Sequence, residues 1–574
     1  MRTLLLFTIC FLSFGIFTHA QQYVGPGKAI DPYNYPTTKQ QVYKKAAVAC
    51  AHPLAAMVGA HIMKLGGNAI DAAIAVQLAL AVVYPGAGNI GGGGFMVANV
   101  NGKAFILDFR ETAPSKAYRD MYLDKSGNAN TNLSQNGHLA CGIPGTVKGL
   151  VESMRYAKLS FATLIQPAIT LANKGFVITQ AEATKLNNAQ VAFRRYNTIT
   201  PVFVKDGGWK VGDTLIQKDL AKTLTRIKDH GAKGFYKGKT AQLIIEEMQR
   251  GKGLLTMGDL KNYKTIFRKP LRFSYKGYNI VTLPPPGSGG ILLCQMLKMV
   301  AKYPLAAYGF ESAKSVHLMA EVERRAFTDR ATHMGDPAFW KVPVSTLTSD
   351  VYLAKRMKDY DSAKATKSTD IRAGNIESTE TTHISISDKW GNVVSLTTTL
   401  NGTFGSKTVV AGAGFFLNNQ MDDFSTKPGV PNMYGAVGGE ANSIAPGKRM
   451  LSSMTPTIVL KNNQPFMVVG TPGGTTIPTS VFQTIVDVID FKMSLATAIK
   501  SPKFHHQWLP DRIDVEKDFP QNIIEQLQAL GHTVVIYNIA GYAANIGRVE
   551  AIQFVNGKRV TVADDRGDDA VAGW

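Results

Sequence analysis

The chain has 574 residues, of which 45% are hydrophobic and 18% charged, with a formal net charge of +21. That composition excludes an intrinsically disordered protein and allows a large buried core. The lysines and arginines are scattered, with no run of five and no basic block interleaved with aromatics, so the charge implies attraction to acidic surfaces and no nucleic-acid partner.

The first twenty residues read as a secretory signal. Met1-Arg2 is a basic start, Leu4 to Phe17 is nearly all apolar, and Thr18-His19-Ala20 puts small residues at a cleavage site. The run is short for a membrane span, so the expected product is secreted or periplasmic, without a stable membrane anchor. Its loss removes Arg2 and leaves a charge of about +20, and it leaves Cys50, Cys141 and Cys294. An odd, sparse set with no CxxC is no disulfide framework and no metal site, so the three are expected to be buried, or one pair of them to meet. No metal or cofactor is expected.

Residues 21–45 are polar and proline-rich and read as a poorly ordered lead-in. Ala69 to Val83 reads as a buried helix carrying Asp71 and ended by Pro85. Gly86 to Gly91 matches G-x-G-x-x-G but follows a helix, where a dinucleotide site needs a preceding strand. Gly91 to Gly94 lead into a strand instead and are expected to let backbones pack closely. From 145 to 360 the pattern is mainly helical. Ile216, Leu220, Leu224 and Ile227 form one stripe, and Gly231 is placed to stop that helix. Pro284 to Gly290 break the pattern, and Ser288 lacks the glycine spacing of a nucleophile elbow.

Residues 361–380 are polar, with Ile371 and Ile376 as their large apolar side chains, and are not expected to order themselves. After Thr381 the period becomes two. A hairpin closed between Asp388 and Asn392, with Gly391 left-handed, sets Ile386 opposite Val394, Ile384 opposite Leu396 and Thr382 opposite Thr398. The same register puts Thr381 opposite Thr399.

Thr381 reads as a future N-terminus. A threonine hydroxyl is a weak nucleophile until a base stands beside it, and a free α-amino group on the same residue can be that base. The expectation is a chain that cuts itself between Glu380 and Thr381, then uses Thr381 for catalysis. The pieces would be a large subunit, 21–380, and a small catalytic subunit, 381–574, which stay paired. His383 is expected to be structural, and the His505-His506 pair lacks a completing ligand set.

Further polar motifs accumulate: Asp108 to Pro114 after a strand, Asn418 to Phe424 after another, Leu451 to Pro456 before a third, and Gly470 to Thr475 at a strand-turn. Together with Gly66 to Ala73, Gly91 to Gly94, Thr381-Thr382-His383 and His505 to Pro510, they appear in the order seen in the γ-glutamyltranspeptidases, which the chain closely resembles from about residue 44 to its end. That family of N-terminal-nucleophile hydrolases implies an α+β fold, a four-layer αββα sandwich built from two autoprocessed subunits. It implies glutathione and other γ-glutamyl compounds as donors, and water, amino acids or short peptides as acceptors.

The resemblance also assigns roles. Thr381 matches the nucleophile and Thr399 the hydroxyl that orients it. Gly473 and Gly474 match the oxyanion donors. Arg110, Ser452 and Ser453 match the groups on the donor α-carboxylate, and Asn401, Gln420 and Asp423 those at its α-ammonium. Tyr434 resembles a lid tyrosine. Thr475-Thr476 stand where many bacterial members have Ser-Arg, which bears on how the oxyanion turn is braced. Two other readings compete: a glutaryl- or cephalosporin-type acylase of the same superfamily, for which Asp423 would be unnecessary, and a non-catalytic secreted binding protein, against which the intact Thr381, Thr399, Gly473 and Gly474 argue.

Overall fold

The computed structural model describes residues 30–371, 380–427, 439–539 and 542–574, and the side chains of Glu380 and Thr381 lie outside that description. The signal segment, the stretch 372–379 and Tyr434 also lie outside it.

Two seven-stranded sheets form the centre. Their strands in chain order are β1 (Gln40–Tyr43), β2 (Ala47–Cys50), β3 (Gly93–Val100), β4 (Lys103–Asp108), β5 (Ile266–Arg268), β6 (Leu271–Tyr275), β7 (Tyr278–Thr282), β8 (Glu380–Ser387), β9 (Val393–Asn401), β10 (Thr457–Lys461), β11 (Gln464–Gly470), β12 (Glu550–Val555), β13 (Lys558–Ala563) and β14 (Ala570–Gly573). One sheet runs β14-β2-β8-β9-β3-β4-β5 and the other β1-β13-β12-β11-β10-β7-β6. Phe95, Val97, Val393, Ile458 and Val468 pack between them.

Helices cover the outer faces. On the first sheet lie α1 (Pro53–Lys64), α2 (Ala69–Val83), α3 (Phe161–Lys174) and α4 (Lys218–His230), sharing one core with Ile384, Ile386 and Leu396. On the second lie α5 (Gly289–Val300), α6 (Ala313–His333) and α7 (Thr476–Ile489), packed with Val459, Met467 and Val469. The result is the expected four-layer αββα sandwich. The alternation of β8 and β9 turns Ile384, Ile386, Val394 and Leu396 toward the helices, while the opposite face carries buried polar residues, His383, Ser385, Ser395 and Thr397, that hydrogen-bond one another and the second sheet.

Helix α2 occupies the bounds read from sequence and is buried along its whole length. Its first turn is closed by a capping box between Asn68 and Asp71. Asp71 also accepts the backbone N–H groups of Lys158 and Leu159, at 2.9 and 2.8 Å. The glycine run packs as expected: a Cβ on Gly92 would sit 2.0 Å from the Thr399 carbonyl oxygen. Helix α4 stops at Gly231, whose φ is 57°.

The stretch 145–360 is mainly helical, as expected, and also contains β5, β6 and β7, three to five residues long and too short to show a period. Four expectations need correction. Ile216 is exposed and precedes α4. Asn418 to Phe424 follow an isolated bridge at Phe416, not a strand, and Gln420–Asp423 form a 3₁₀ turn. The lead-in is ordered over its described part, which begins at Ile30. Strand β1 pairs with β13, and the Lys39 ammonium donates to the carbonyls of Asp564, Gly567 and Asp569 at 3.0, 2.6 and 2.7 Å. The polar run 361–380 is likewise docked over its described part, with Ser368 and Ile371 buried.

Cys50, Cys141 and Cys294 are free and buried. Burial pushes the Cys141 and Cys294 thiols up to about 12, which leaves both inert.

Candidate active site

The β8–β9 hairpin sets the frame. Asp388 accepts from the N–H groups of Trp390 and Asn392 at 2.8 and 3.0 Å, and Gly391 has a φ of 84°. Thr382, Ile384 and Ile386 face Thr398, Leu396 and Val394, as the turn predicts. The ladder then shifts: Glu380 pairs with Asn401, so one residue of β8, Thr381, stands against two of β9, Thr399 and Leu400. Asn401 is the paired residue just beyond the bulge. Its φ is 78°, and its N–H turns back to the Thr399 hydroxyl at 2.8 Å. The simple cross-strand pairing of Thr381 with Thr399 is therefore replaced by an irregularity at the start of β8.

His383 points between the sheets. Its ring contacts the hydroxyls of Thr397 at 2.8 Å and Ser385 at 3.1 Å, and burial lowers its pKa to about 3. It is a neutral structural group. Gly470 lies against this ring, since a Cβ there would come 2.3 Å from it. The turn after β11 thus sits beside the beginning of β8.

That turn carries Gly473 and Gly474, with φ of 132° and 67°. A Cβ on Gly473 would meet the Thr476 hydroxyl at 2.5 Å and Gly547 Cα at 3.0 Å. The turn leads into α7, whose N-terminal end favours negative charge. The two threonines in place of Ser-Arg do brace it: Thr476 donates to the Gly473 carbonyl at 2.6 Å and Thr475 to Gln507 at 2.7 Å.

Arg110 follows β4 and is fully buried. One guanidinium nitrogen contacts the Asp423 carboxylate and donates to the Leu451 carbonyl at 3.0 Å. Gln420 donates to the same Asp423 oxygen. Burial raises the Asp423 carboxyl, while Arg110 and Gln420 pull it back. Asn401 donates to the Asn419 carbonyl at 3.0 Å, beside this 3₁₀ turn. Asn401 Oδ1, Gln420 Oε1, Asp423 Oδ1 and one Arg110 nitrogen have no hydrogen-bond partner among the described residues. Buried polar atoms left so are costly unless a ligand meets them.

Ser452 and Ser453 are buried in the next loop. The Ser452 carbonyl accepts from the N–H and hydroxyl of Ser288, at 2.7 and 2.8 Å. The Ser453 hydroxyl accepts from Arg330 at 3.1 Å. Arg330 and Glu111 were not singled out from sequence. Arg330 links Ser453 to Ser288, where its Nε donates at 2.8 Å. Glu111 lies 3.6 Å from Arg110, and burial pushes its carboxyl up to about 8. A signal for Arg330 existed: α6 carries Glu321, Glu323, Arg324, Arg325, Asp329 and Arg330 within ten positions, too many charges for one solvated face.

His505 and His506 are committed to protein partners: His505 to Thr479 and Gln507 at 2.9 Å each, His506 to the Trp508 N–H at 3.0 Å.

The family model for gamma-glutamyltranspeptidase matches residues 55–574. The chain belongs to the gamma-glutamyltranspeptidase family. It is 44% identical over 539 residues to the glutathione hydrolase proenzyme of Escherichia coli strain K12, covering 92% of each chain. A crystal structure of gamma-glutamyltranspeptidase from Helicobacter pylori is 44% identical, with a TM-score of 0.55 over 56% of this chain and 93% of that one. A crystal structure of cephalosporin acylase from Bacillus halodurans aligns over 95% of this chain and 99% of that one, with a TM-score of 0.83 at 28% identity. The family thus shares its sandwich with acylases, and the fold alone does not choose the substrate.

Among the described residues, no helix is long and apolar enough to cross a membrane.

Proposed function

We propose that the chain is a γ-glutamyltransferase and glutathione hydrolase that matures by cutting itself before Thr381. The observation that carries the donor class is the buried contact of Asp423 with Arg110 on one side and Gln420 on the other, with polar atoms left over on Asp423 and Gln420. A γ-glutamyl group ends in an α-carboxylate and an α-ammonium. Arg110 suits the first and Asp423 the second. Ser452 and Ser453, the latter steadied by Arg330, would complete the carboxylate end, and Asn401 the ammonium end.

In maturation, the Thr381 hydroxyl oxygen attacks the Glu380 carbonyl carbon. The C–N bond breaks, the nitrogen takes a proton, and Glu380 is left as an ester on Thr381. Water hydrolyses that ester and frees both the hydroxyl and the new α-amino group. In catalysis, the amine takes the hydroxyl proton as the oxygen attacks the donor γ-carbonyl. An ordinary α-amino pKa of about 7.7–8.0 suits that task near neutrality. Backbone N–H groups at Gly473 and Gly474 meet the oxyanion, and Thr399 orients the nucleophile. The amide leaving group takes a proton and departs. Water, an amino acid or a short peptide then accepts the γ-glutamyl group. A leader-directed, secreted or periplasmic location accords with this role.

A denaturing gel tests the first part. The wild type runs as pieces of 360 and 194 residues, the smaller beginning Thr-Thr-His, and Thr381→Ala stays whole. A wild type that never splits overturns the scheme. Release from a γ-glutamyl anilide without release from a glutaryl anilide supports the donor class; the reverse result makes the chain an acylase.

A further inference from the structure

Two sequence features take no part in donor binding: the His505 to Pro510 motif and the polar run that precedes the cut. The structure brings them together. Ser368 is completely buried, and all three of its polar groups are held. Its N–H donates to Asp511 at 2.7 Å, its carbonyl accepts from the Trp508 indole N–H at 2.9 Å, and its hydroxyl accepts from Arg324 at 2.5 Å. Arg324 also contacts the Asp511 carboxylate. His506 lies 3.5 Å from Asp511 and bonds the Trp508 N–H through its other nitrogen.

The run is held before Ser368 too. The Thr366 N–H donates to Glu321 at 3.1 Å, and its hydroxyl accepts from Arg325 at 3.2 Å. The Ala365 N–H donates to the Leu530 carbonyl at 2.7 Å. His317 bonds the Asp361 carbonyl at 2.8 Å and His532 at 2.7 Å. His317, Glu321 and His532 resemble a metal triad, but the imidazoles bond each other and Glu321 is taken by Arg324, Arg325 and Thr366. Their common feature is contact with this run and its neighbours.

We propose that Arg324, Trp508 and Asp511 form an anchor for the precursor's linker, fixing Ser368 so that the scissile bond, twelve residues on at Glu380, is presented at the start of β8. The inference rests on the self-cleavage reading above. A polar run does not order itself by burial. Gripping both backbone groups and the side chain of one residue fixes its position and shortens the length of chain between a fixed point and the bond, which raises the effective concentration of the bond at its reacting geometry. Arg324 belongs to the large piece, and Trp508 and Asp511 to the small one. The anchor therefore survives the cut as a contact between the pieces, and these are positioning residues for maturation, not for donor turnover.

The test follows the full-length chain over time after refolding or synthesis, comparing wild type, Asp511→Asn, Trp508→Phe and Thr381→Ala. Trp508→Phe keeps an aromatic ring but removes the indole N–H together with part of the buried volume, and it leaves the Arg324–Asp511 pair intact, so it covers the case in which Asp511→Asn does not fold. Splitting is expected to slow roughly tenfold or more in Asp511→Asn and several-fold in Trp508→Phe. In the split fraction, kcat and KM on a γ-glutamyl anilide stay within about twofold of wild type. Splitting at the wild-type rate in both variants, with Thr381→Ala whole, overturns the anchor alone. So does slower splitting matched by an equal loss of kcat in the split fraction, which marks a general defect. If Thr381→Ala splits like wild type, the nucleophile assignment is what fails.

Discussion

Arg110 and Asp423 form an ion pair in direct contact, with both side chains fully buried. A γ-glutamyl donor brings the same two charges, so binding exchanges partners without creating an unpaired ion. A glutaryl donor would take Arg110 and leave Asp423 buried with Gln420 alone, which is expensive. Asp423→Asn is expected to lower kcat/KM on a γ-glutamyl anilide by roughly 10²–10³, mostly through KM, because it strands the guanidinium and removes the ammonium's partner. Steady-state kinetics on the split enzyme checks this. Gly473→Ala meets Thr476 and Gly547 and forces a left-handed φ, so the turn shifts. The expected loss falls on kcat, roughly 10²-fold, the scale of one oxyanion donor.

Arg110 and Asp423 were legible in sequence because motifs flank them. Arg330 was not, since its partner Ser288 lies 42 positions away, and Glu111, though inside the Asp108–Pro114 motif, shows its burial only once Gly93 of β3 packs against it.

At the scale of elements, the β8–β9 hairpin was read almost completely from its turn. Asp388 and Gly391 fix the register locally, and alternation carries it to Thr382. The last step failed because the ladder shifts by one residue beyond Thr398, and alternation alone does not reveal a bulge. Strands β5 to β7 escaped notice for a related reason: short strands owe their pairing to the sheet they join.

The same hairpin sets a pH response. His383 is held neutral, with its pKa lowered to about 3 from an ordinary value near 6.5. Between those values the unfolded chain binds a proton that the folded chain does not. Its contribution to stability is complete above pH 6.5 and is lost as pH falls toward 3. His383→Asn removes that term. The drop in unfolding free energy between pH 7 and 4.5 is expected to be about 2–3 kcal/mol smaller in the variant, as measured by denaturant titration at both pH values.

Across the whole molecule, the proposed cut divides both sheets. β8 lies between β2 of the large piece and β9 of its own, β9 borders β3, and β10 borders β7. β1 of the large piece pairs with β13 of the small one. Neither piece has a complete sheet or a closed core without the other. The two are expected to co-elute under native conditions near the mass of the uncut mature chain and to separate only in denaturant; size-exclusion chromatography followed by a denaturing gel decides.

This interleaving puts an order on events. The bond before Thr381 starts a strand that exists only once residues from both ends of the chain have met: Cys50 beside Ile384, and Val571 beside Ala49. On the proposed scheme, a chain arrested midway does not present that bond and stays inert, so that cleavage would act as a proofreading step by which the polypeptide certifies its own assembly before it acquires the power to act on anything else.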